Sequence, residues 1–302
     1  MTKLAIVGAG AIGQLIASQL SSTFDVHFIT RRTNFNSLWQ VETASQQRQQ
    51  YSAPVITAAD DLQQFELVIV CVKAYQVVDA VLPLLDKLNP HCHILLLHNG
   101  MGPHLALMAH IGERGLSLGT TSQGALLTSP QRVTHTGLGL TQLGHLHGKP
   151  LNSSLKQQLL AAIPQSQWHP DIINALWQKL AINAAINPLT ALEQCKNGQL
   201  AASTYKQHID QIVTELHQVV TRDNIVLDKA ALLTRIYDVI QLTANNYSSM
   251  YQDIAHQRRT EIDYINGYIV TRAQQHHLDV PFNFALVTQI KKLEKKPANR
   301  NN

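Results

Sequence analysis

Residues 8–13 read Gly-Ala-Gly-Ala-Ile-Gly and stand between an apolar run at 4–7 and a stretch with helical spacing, IGQLIASQL. A strand that turns at once into a helix needs glycine at three places. Gly8 permits the tight turn, Gly10 leaves the backbone open to an incoming group, and Gly13 lets the helix pack hard on the strand. The start of the helix then offers unpaired N–H groups and a positive dipole end, which suits phosphate. The pattern predicts a dinucleotide-binding βαβ unit in which Gly8, Ala9, Gly10, Ala11, Ile12 and Gly13 cradle the cofactor. A purely structural turn is the alternative.

The same alternation continues to about residue 125. Apolar strands are expected at 26–30, 67–72 and 94–97, with a helix over AYQVVDAVLPLLDKL between the last two. Continuous apolar strands separated by helices imply a parallel sheet covered on both faces. Residues 116–145 change to Thr-, Gly- and Leu-rich alternation, which predicts extra strands, as a hairpin, completing this domain. After Trp168 the strand signals stop, and 171–187, 204–223, 227–251 and 253–275 read as helices. The expected fold is therefore α/β. An N-terminal doubly wound, Rossmann-type parallel sheet (1–168) is followed by a C-terminal all-helical domain (169–302) that carries substrate and catalysis. Pro164 and Pro170 mark the linker, and QQRQQ at 46–50 reads as an exposed loop.

Charge narrows the partners. The net charge is +4, and the last twelve residues, KKLEKKPANRNN, account for all of it with five basic groups and one acid. A neutral body with a basic tail lacks the basic face of a nucleic-acid binder. Cys71, Cys92 and Cys195 form no CxxC, so reduced thiols in a cytoplasmic protein are expected, and His91-Cys92-His93 has no second cluster to complete a metal site. No segment reads as a signal peptide or a membrane span. A monomer or a homodimer fits equally.

The second expected strand ends in Thr30-Arg31-Arg32, where NAD-specific sites usually place an acid. Two guanidiniums there suit a 2′-phosphate and point to NADPH/NADP+, with a solvated loop pair as the alternative. Lys73, beyond the third apolar strand, adds a second positive group. In the helical half, Lys179, Asn183 and Asn187 recur at i, i+4 and i+8 among Leu, Ala and Ile, giving one polar stripe, with a solvated helix face as the alternative. Asn246, Ser249, Asp253 and Glu261 share a second arc if their segment is helical. A surface ion pair with Arg258 or Arg259 competes for Glu261. Asn99, in HNGMG, follows a central strand at its carboxyl end, where open α/β sheets bind ligands.

Taken together, GAGAIG, HNGMG, LWQKLAINAAINPLTAL (176–192), CKNGQL (195–200) and NNYSSMYQDI…RRTEIDYINGY (245–268) resemble the ketopantoate reductase family. The resemblance runs over nearly the whole chain. It implies NADPH-dependent reduction of 2-dehydropantoate to (R)-pantoate, on the route to pantothenate and coenzyme A. It implies Lys179 as general acid and Glu261 as the acid near cofactor and lysine. Asn183, Asn187, Asn197, Asn246 and Ser249 are implied as substrate-binding residues, and Asn99 is shared between substrate and cofactor. Arg31 and Lys73 are implied as phosphate-recognising residues and Ala125 as a backbone contact to the cofactor. The competing expectations are a reductase of another 2-oxo or β-hydroxy acid and a non-catalytic dinucleotide sensor. The loop after Arg32 and the tail match no motif.

Overall fold

The structure is a computed structural model and describes residues 1–31 and 34–295. Arg32 and the end of the basic tail, 296–302, lie outside the described residues. The chain forms two compact units, Met1–His98 with Pro103–Ile172, and Asn99–Gly102 with Ile173 onward.

The first unit contains strands β1 (Lys3–Val7), β2 (Asp25–Ile29), β3 (Leu38–Glu42), β4 (Arg48–Ser52), β5 (Val55–Ile56), β6 (Leu67–Val70), β7 (His93–Leu97), β8 (Leu116–Thr121), β9 (Gly124–Ser129), β10 (Arg132–Gly137), β11 (Thr141–His147) and β12 (Ser166–Trp168). Its helices are α1 (Ala11–Leu20), α2 (Val77–Val81), α3 (Pro103–Ile111) and α4 (Ser153–Ala162). Among the described residues the larger sheet runs β12-β11-β8-β7-β6-β1-β2-β5. It is parallel from β5 to β8, and β11 pairs antiparallel to β8. Leu67, Val68, Ile69 and Val70 are all buried, as are the residues of β7, so neither strand alternates. Strands buried on both faces belong in the interior of a parallel sheet. The chain proceeds from β1 to β2 on one side and later to β6 on the other, so the strand order reverses at β1. The glycine run begins at that reversal.

The expected hairpin is present as the antiparallel pair β9–β10, and it joins β3 and β4 in a smaller sheet, β4-β3-β10-β9, that packs on α1. Its anchor is Trp39, fully buried, with its ring 4.4 Å from that of Phe28 and its indole N–H donating to Ala53 O at 2.8 Å. Burying a ring of this size contributes on the order of 2 kcal/mol. All five residues of QQRQQ are exposed: Gln46 and Gln47 lie in the turn between β3 and β4, as expected of a loop, whereas Arg48, Gln49 and Gln50 open β4, whose outer face is bare because the strand lies at a sheet edge. Such one-sided burial carries no apolar run for a sequence reading to find. The helix expected over 74–88 is broken into two 3-10 turns around α2, with Pro83 in the second turn, where its ring removes a backbone donor.

The second unit contains α5 (Ile172–Leu192), α6 (Ser203–Arg222), α7 (Lys229–Leu242), α8 (Ser249–Ala255), α9 (Asn266–Gln275) and α10 (Pro281–Glu294), with 3-10 turns at Asn197–Ala201 and Ile262–Tyr264. Three expectations are corrected here. The segment 227–251 is not one helix, since α7 ends at Leu242 and Ser248 opens α8 by accepting from Tyr251 N. The segment 253–275 is also interrupted. Gln257 takes a positive φ of 53° after α8, which stops the helix, and Thr260 turns away to bond Glu294. Asn246, Ser249, Asp253 and Glu261 therefore do not form one helical arc. Finally, the basic tail does not begin at 291. Lys291 and Lys292 belong to α10, Ile290 is fully buried, and Glu294 accepts from both Thr260 N and Oγ1 at 2.7 Å.

Candidate active site

In the first unit, β1 delivers the chain into the glycine run. Gly8 has φ +102°, and a Cβ there would stand 2.7 Å from Val72 Cγ1. A Cβ on Gly13 would stand 2.0 Å from Gly8 O, so the first turn of α1 lies directly on the loop. Gly10 differs: a Cβ would meet nothing within 4 Å, and the residue is exposed. The first intrahelical bond runs from Gln14 N to Gly10 O, leaving the N–H groups of Ala11, Ile12 and Gly13 without an intrahelical acceptor. An open crest above free helix N–H groups fits the phosphates of a dinucleotide.

Two basic residues flank this cradle. Arg31 is exposed two residues beyond the end of β2, and Lys73 is half-buried just past the end of β6. Both strands pair in parallel with β1, so their carboxyl ends share one edge of the sheet. Ala125 is the second residue of β9, half-buried, in the sheet that packs on α1. Sequence reasoning missed Gln14. Its amide is fully buried in α1 and donates to Ala9 O and to Pro130 O, both at 2.9 Å, while Tyr51 Oη donates to Gln14 O at 2.9 Å. It braces the glycine run from behind, and the one signal was a glutamine on an apolar helical face.

In the second unit, Lys179 Nζ donates to Asn99 Oδ1 at 3.0 Å, and Asn99 Nδ2 donates towards Glu261 Oε2 at 3.5 Å. Asn99 thus stands between ammonium and carboxylate. Its segment is fixed by Met101 N donating to Tyr264 O at 2.8 Å. Gly100 takes φ +78°, and a Cβ there would fall 2.4 Å from the same Tyr264 O, so no larger residue allows this approach. Glu261 is buried, whereas Arg258 pairs with Asp253 at 3.1 Å and Arg259 with Asp263 at 3.5 Å. Burial pushes the Lys179 ammonium down to about 8, and the Glu261 carboxylate works in the opposite direction.

Asn183, half-buried, and Asn187, buried, continue the face of α5 that begins at Lys179. Asn197 is buried and donates through Nδ2 to Thr243 Oγ1 at 2.9 Å, while its N–H donates to Asn246 O at 3.0 Å. Asn197 and Asn246 are thereby held together, with the Asn246 side chain exposed. Ser249 is exposed at the first position of α8, and its neighbour Ser248 bonds Thr190 Oγ1 at 2.8 Å, three residues along α5 from Asn187. Among the described residues no group of His, Cys, Asp or Glu could hold a metal ion, the three cysteines are free thiols, and no helix is long and apolar enough to cross a membrane.

An open glycine cradle at the strand-order reversal of a parallel sheet, with a separate lysine-centred polar cluster, defines an oxidoreductase of the dinucleotide-binding α/β class. Comparison with known proteins narrows that class. Residues 4–148 match the ketopantoate reductase PanE/ApbA family model, and 171–294 match the model of its C-terminal domain. The 2-dehydropantoate 2-reductase of Vibrio cholerae serotype O1 is 38% identical over 296 residues, covering 96% of this chain and 97% of that protein. The PanE/ApbA family ketopantoate reductase of Ralstonia eutropha JMP134 superposes with a TM-score of 0.87 at 25% identity, covering 97% and 98% of the two chains. D-mandelate dehydrogenase, in its ternary structure with NADH and anilino(oxo)acetate, shares the fold, with a TM-score of 0.89 at 23% identity and 97% and 98% coverage. The chain belongs to the ketopantoate reductase family.

Proposed function

We propose that this protein reduces the C2 carbonyl of 2-dehydropantoate to give (R)-pantoate, with NADPH as reductant. The observation that carries the reading is the Lys179–Asn99–Glu261 cluster, an ammonium with its proton held near neutrality and aimed by a neighbouring amide. Family membership supports the substrate. The nicotinamide, when bound, supplies the hydride. As negative charge grows on the carbonyl oxygen, the Lys179 ammonium stabilises it and gives up its Nζ proton. Asn183, Asn187, Asn197, Asn246 and Ser249 orient the substrate through its carboxylate and hydroxyl groups. Glu261 keeps Lys179 protonated by its charge and holds Asn99 in place.

Gly8–Gly13 hold the pyrophosphate, with Ala125 contributing backbone. Arg31 and Lys73 favour a 2′-phosphate, since a guanidinium grips phosphate bidentately. The test is consumption of NADPH, followed by absorbance, with 2-dehydropantoate against a panel of other 2-oxo acids. A preference for another 2-oxo acid by kcat/KM would replace the substrate, and cofactor binding without turnover of any of them would leave only a sensor. Arg31→Ala is expected to weaken NADPH by roughly tenfold or more, in keeping with loss of a charge-assisted bidentate contact, and to leave NADH nearly unchanged. Equal losses for the two cofactors would remove Arg31 from the 2′-phosphate.

A further inference from the structure

The stripe Lys179, Asn183, Asn187 is interrupted by chemistry that the helix cannot satisfy alone. Pro188 lies inside α5. In an α-helix the N–H of residue 188 would bond Ala184 O, and proline has none, so that carbonyl is left without its helical donor between Asn183 and Asn187. Ala184 is fully buried, and water is not at hand to replace the bond. Asn266, the first residue of α9, supplies it: Asn266 Nδ2 donates to Ala184 O at 3.1 Å.

Asn266 is itself braced through four helices. Its Nδ2 also donates to Asn283 Oδ1 at 3.0 Å. Asn283 Nδ2 donates to Glu215 Oε2 at 2.7 Å and to Ile212 O at 3.3 Å. Glu215, on α6, accepts in addition from Phe282 N at 2.8 Å and Asn283 N at 2.9 Å, satisfying the open N–H groups at the start of α10. Asn266 and Asn283 are fully buried and Glu215 is nearly so. Asn266 Oδ1 has no hydrogen-bond partner among the described residues, but both bonds of its Nδ2 and those of Asn283 Nδ2 and the Glu215 carboxylate are made, and a buried chain paired in this way favours one arrangement of the helices it joins.

We infer that Asn266, backed by Asn283 and Glu215, is a positioning residue for substrate binding. It completes the carbonyl that Pro188 leaves open and so sets Lys179 and Asn183 in register with Asn187 along α5. The inference rests on the reading of α5 as the substrate-binding helix. The proline and the asparagine form one device, since the first creates the vacancy that the second fills.

The test is a double-mutant cycle of Asn266→Ala and Pro188→Ala, read by denaturant unfolding and by steady-state kinetics. In the natural background Asn266→Ala is expected to raise the KM for 2-dehydropantoate about tenfold, with the NADPH Kd within about twofold. Pro188→Ala restores a backbone donor to Ala184 O. In that background Asn266→Ala should cost about tenfold less in the unfolding equilibrium constant and recover part of the KM. Equal losses in both backgrounds, or an unchanged KM, would overturn the inference. If Asn266→Ala alone does not fold, return of folded protein in the double variant supports the device, and its failure to return sinks it. A natural protein inactive on 2-dehydropantoate but with a coupled unfolding cycle would remove the functional reading and spare the Pro188–Asn266 device.

Discussion

Replacing Lys179 by alanine lowers kcat for 2-dehydropantoate by roughly 10²- to 10⁴-fold, the range lost with a general acid, and leaves the NADPH Kd within about twofold. The large effect is expected because the proposed role gives one group two tasks, charge stabilisation at the forming alkoxide and delivery of its proton. The pH profile carries a separate signature. Burial brings Lys179 of the free enzyme to about 8, so kcat/KM in the natural protein should fall as pH rises through that value and the ammonium loses its proton. Glu261 opposes that shift, because a carboxylate stabilises the adjacent ammonium. Glu261→Gln removes the negative charge, the ammonium gives up its proton more readily, and the alkaline limb moves to lower pH. A limb that stayed in place, or a Lys179→Ala enzyme turning over near the natural rate, would exclude the lysine as acid.

The second large effect is expected at Gly13. A methyl group there would lie 2.0 Å from Gly8 O, a backbone atom with no freedom to step aside while β1 remains in the sheet. Gly13→Ala must therefore push α1 off the loop. NADPH titration by fluorescence should show a loss of affinity of about a hundredfold or more, because the helix N–H groups no longer converge on the pyrophosphate. The overpacking should also cost about 1–3 kcal/mol, seen as a Tm lower by several degrees. Gly10→Ala is the internal control for space, since a Cβ there meets no protein atom within 4 Å. It should fold as the natural protein does and weaken only the cofactor. If Gly13→Ala bound NADPH normally, the cradle would not be where the cofactor sits.

Some elements were legible in the sequence because their signal is local. The strand-turn-helix at 3–20 needs only apolar runs and three glycines, and the reasons for those glycines are visible as contacts at Gly8 and Gly13. The α5 stripe was legible for the same reason, since helical spacing puts Lys179, Asn183 and Asn187 on one face without help from elsewhere. The segment between residues 243 and 265 was not. Its polar residues suggested one arc, but Gln257 with φ 53° and the Thr260–Glu294 bonds break the helix. Those causes lie partly in a partner 34 residues away.

The amino-acid sequence by itself determined the βαβ start, the absence of net charge outside the last twelve residues, and the residue types available for phosphate and for a developing alkoxide. Each of these depends on neighbours within one or two helical turns or on simple counting. Tertiary structure decided the rest. It brought Glu261 within reach of Asn99, 162 residues away, and put Asn99 on Lys179. It also gave the carbonyl orphaned by Pro188 a donor 82 residues distant. A proline announces a missing hydrogen bond wherever it stands in a helix, but which side chain replaces it is settled only by how the helices pack.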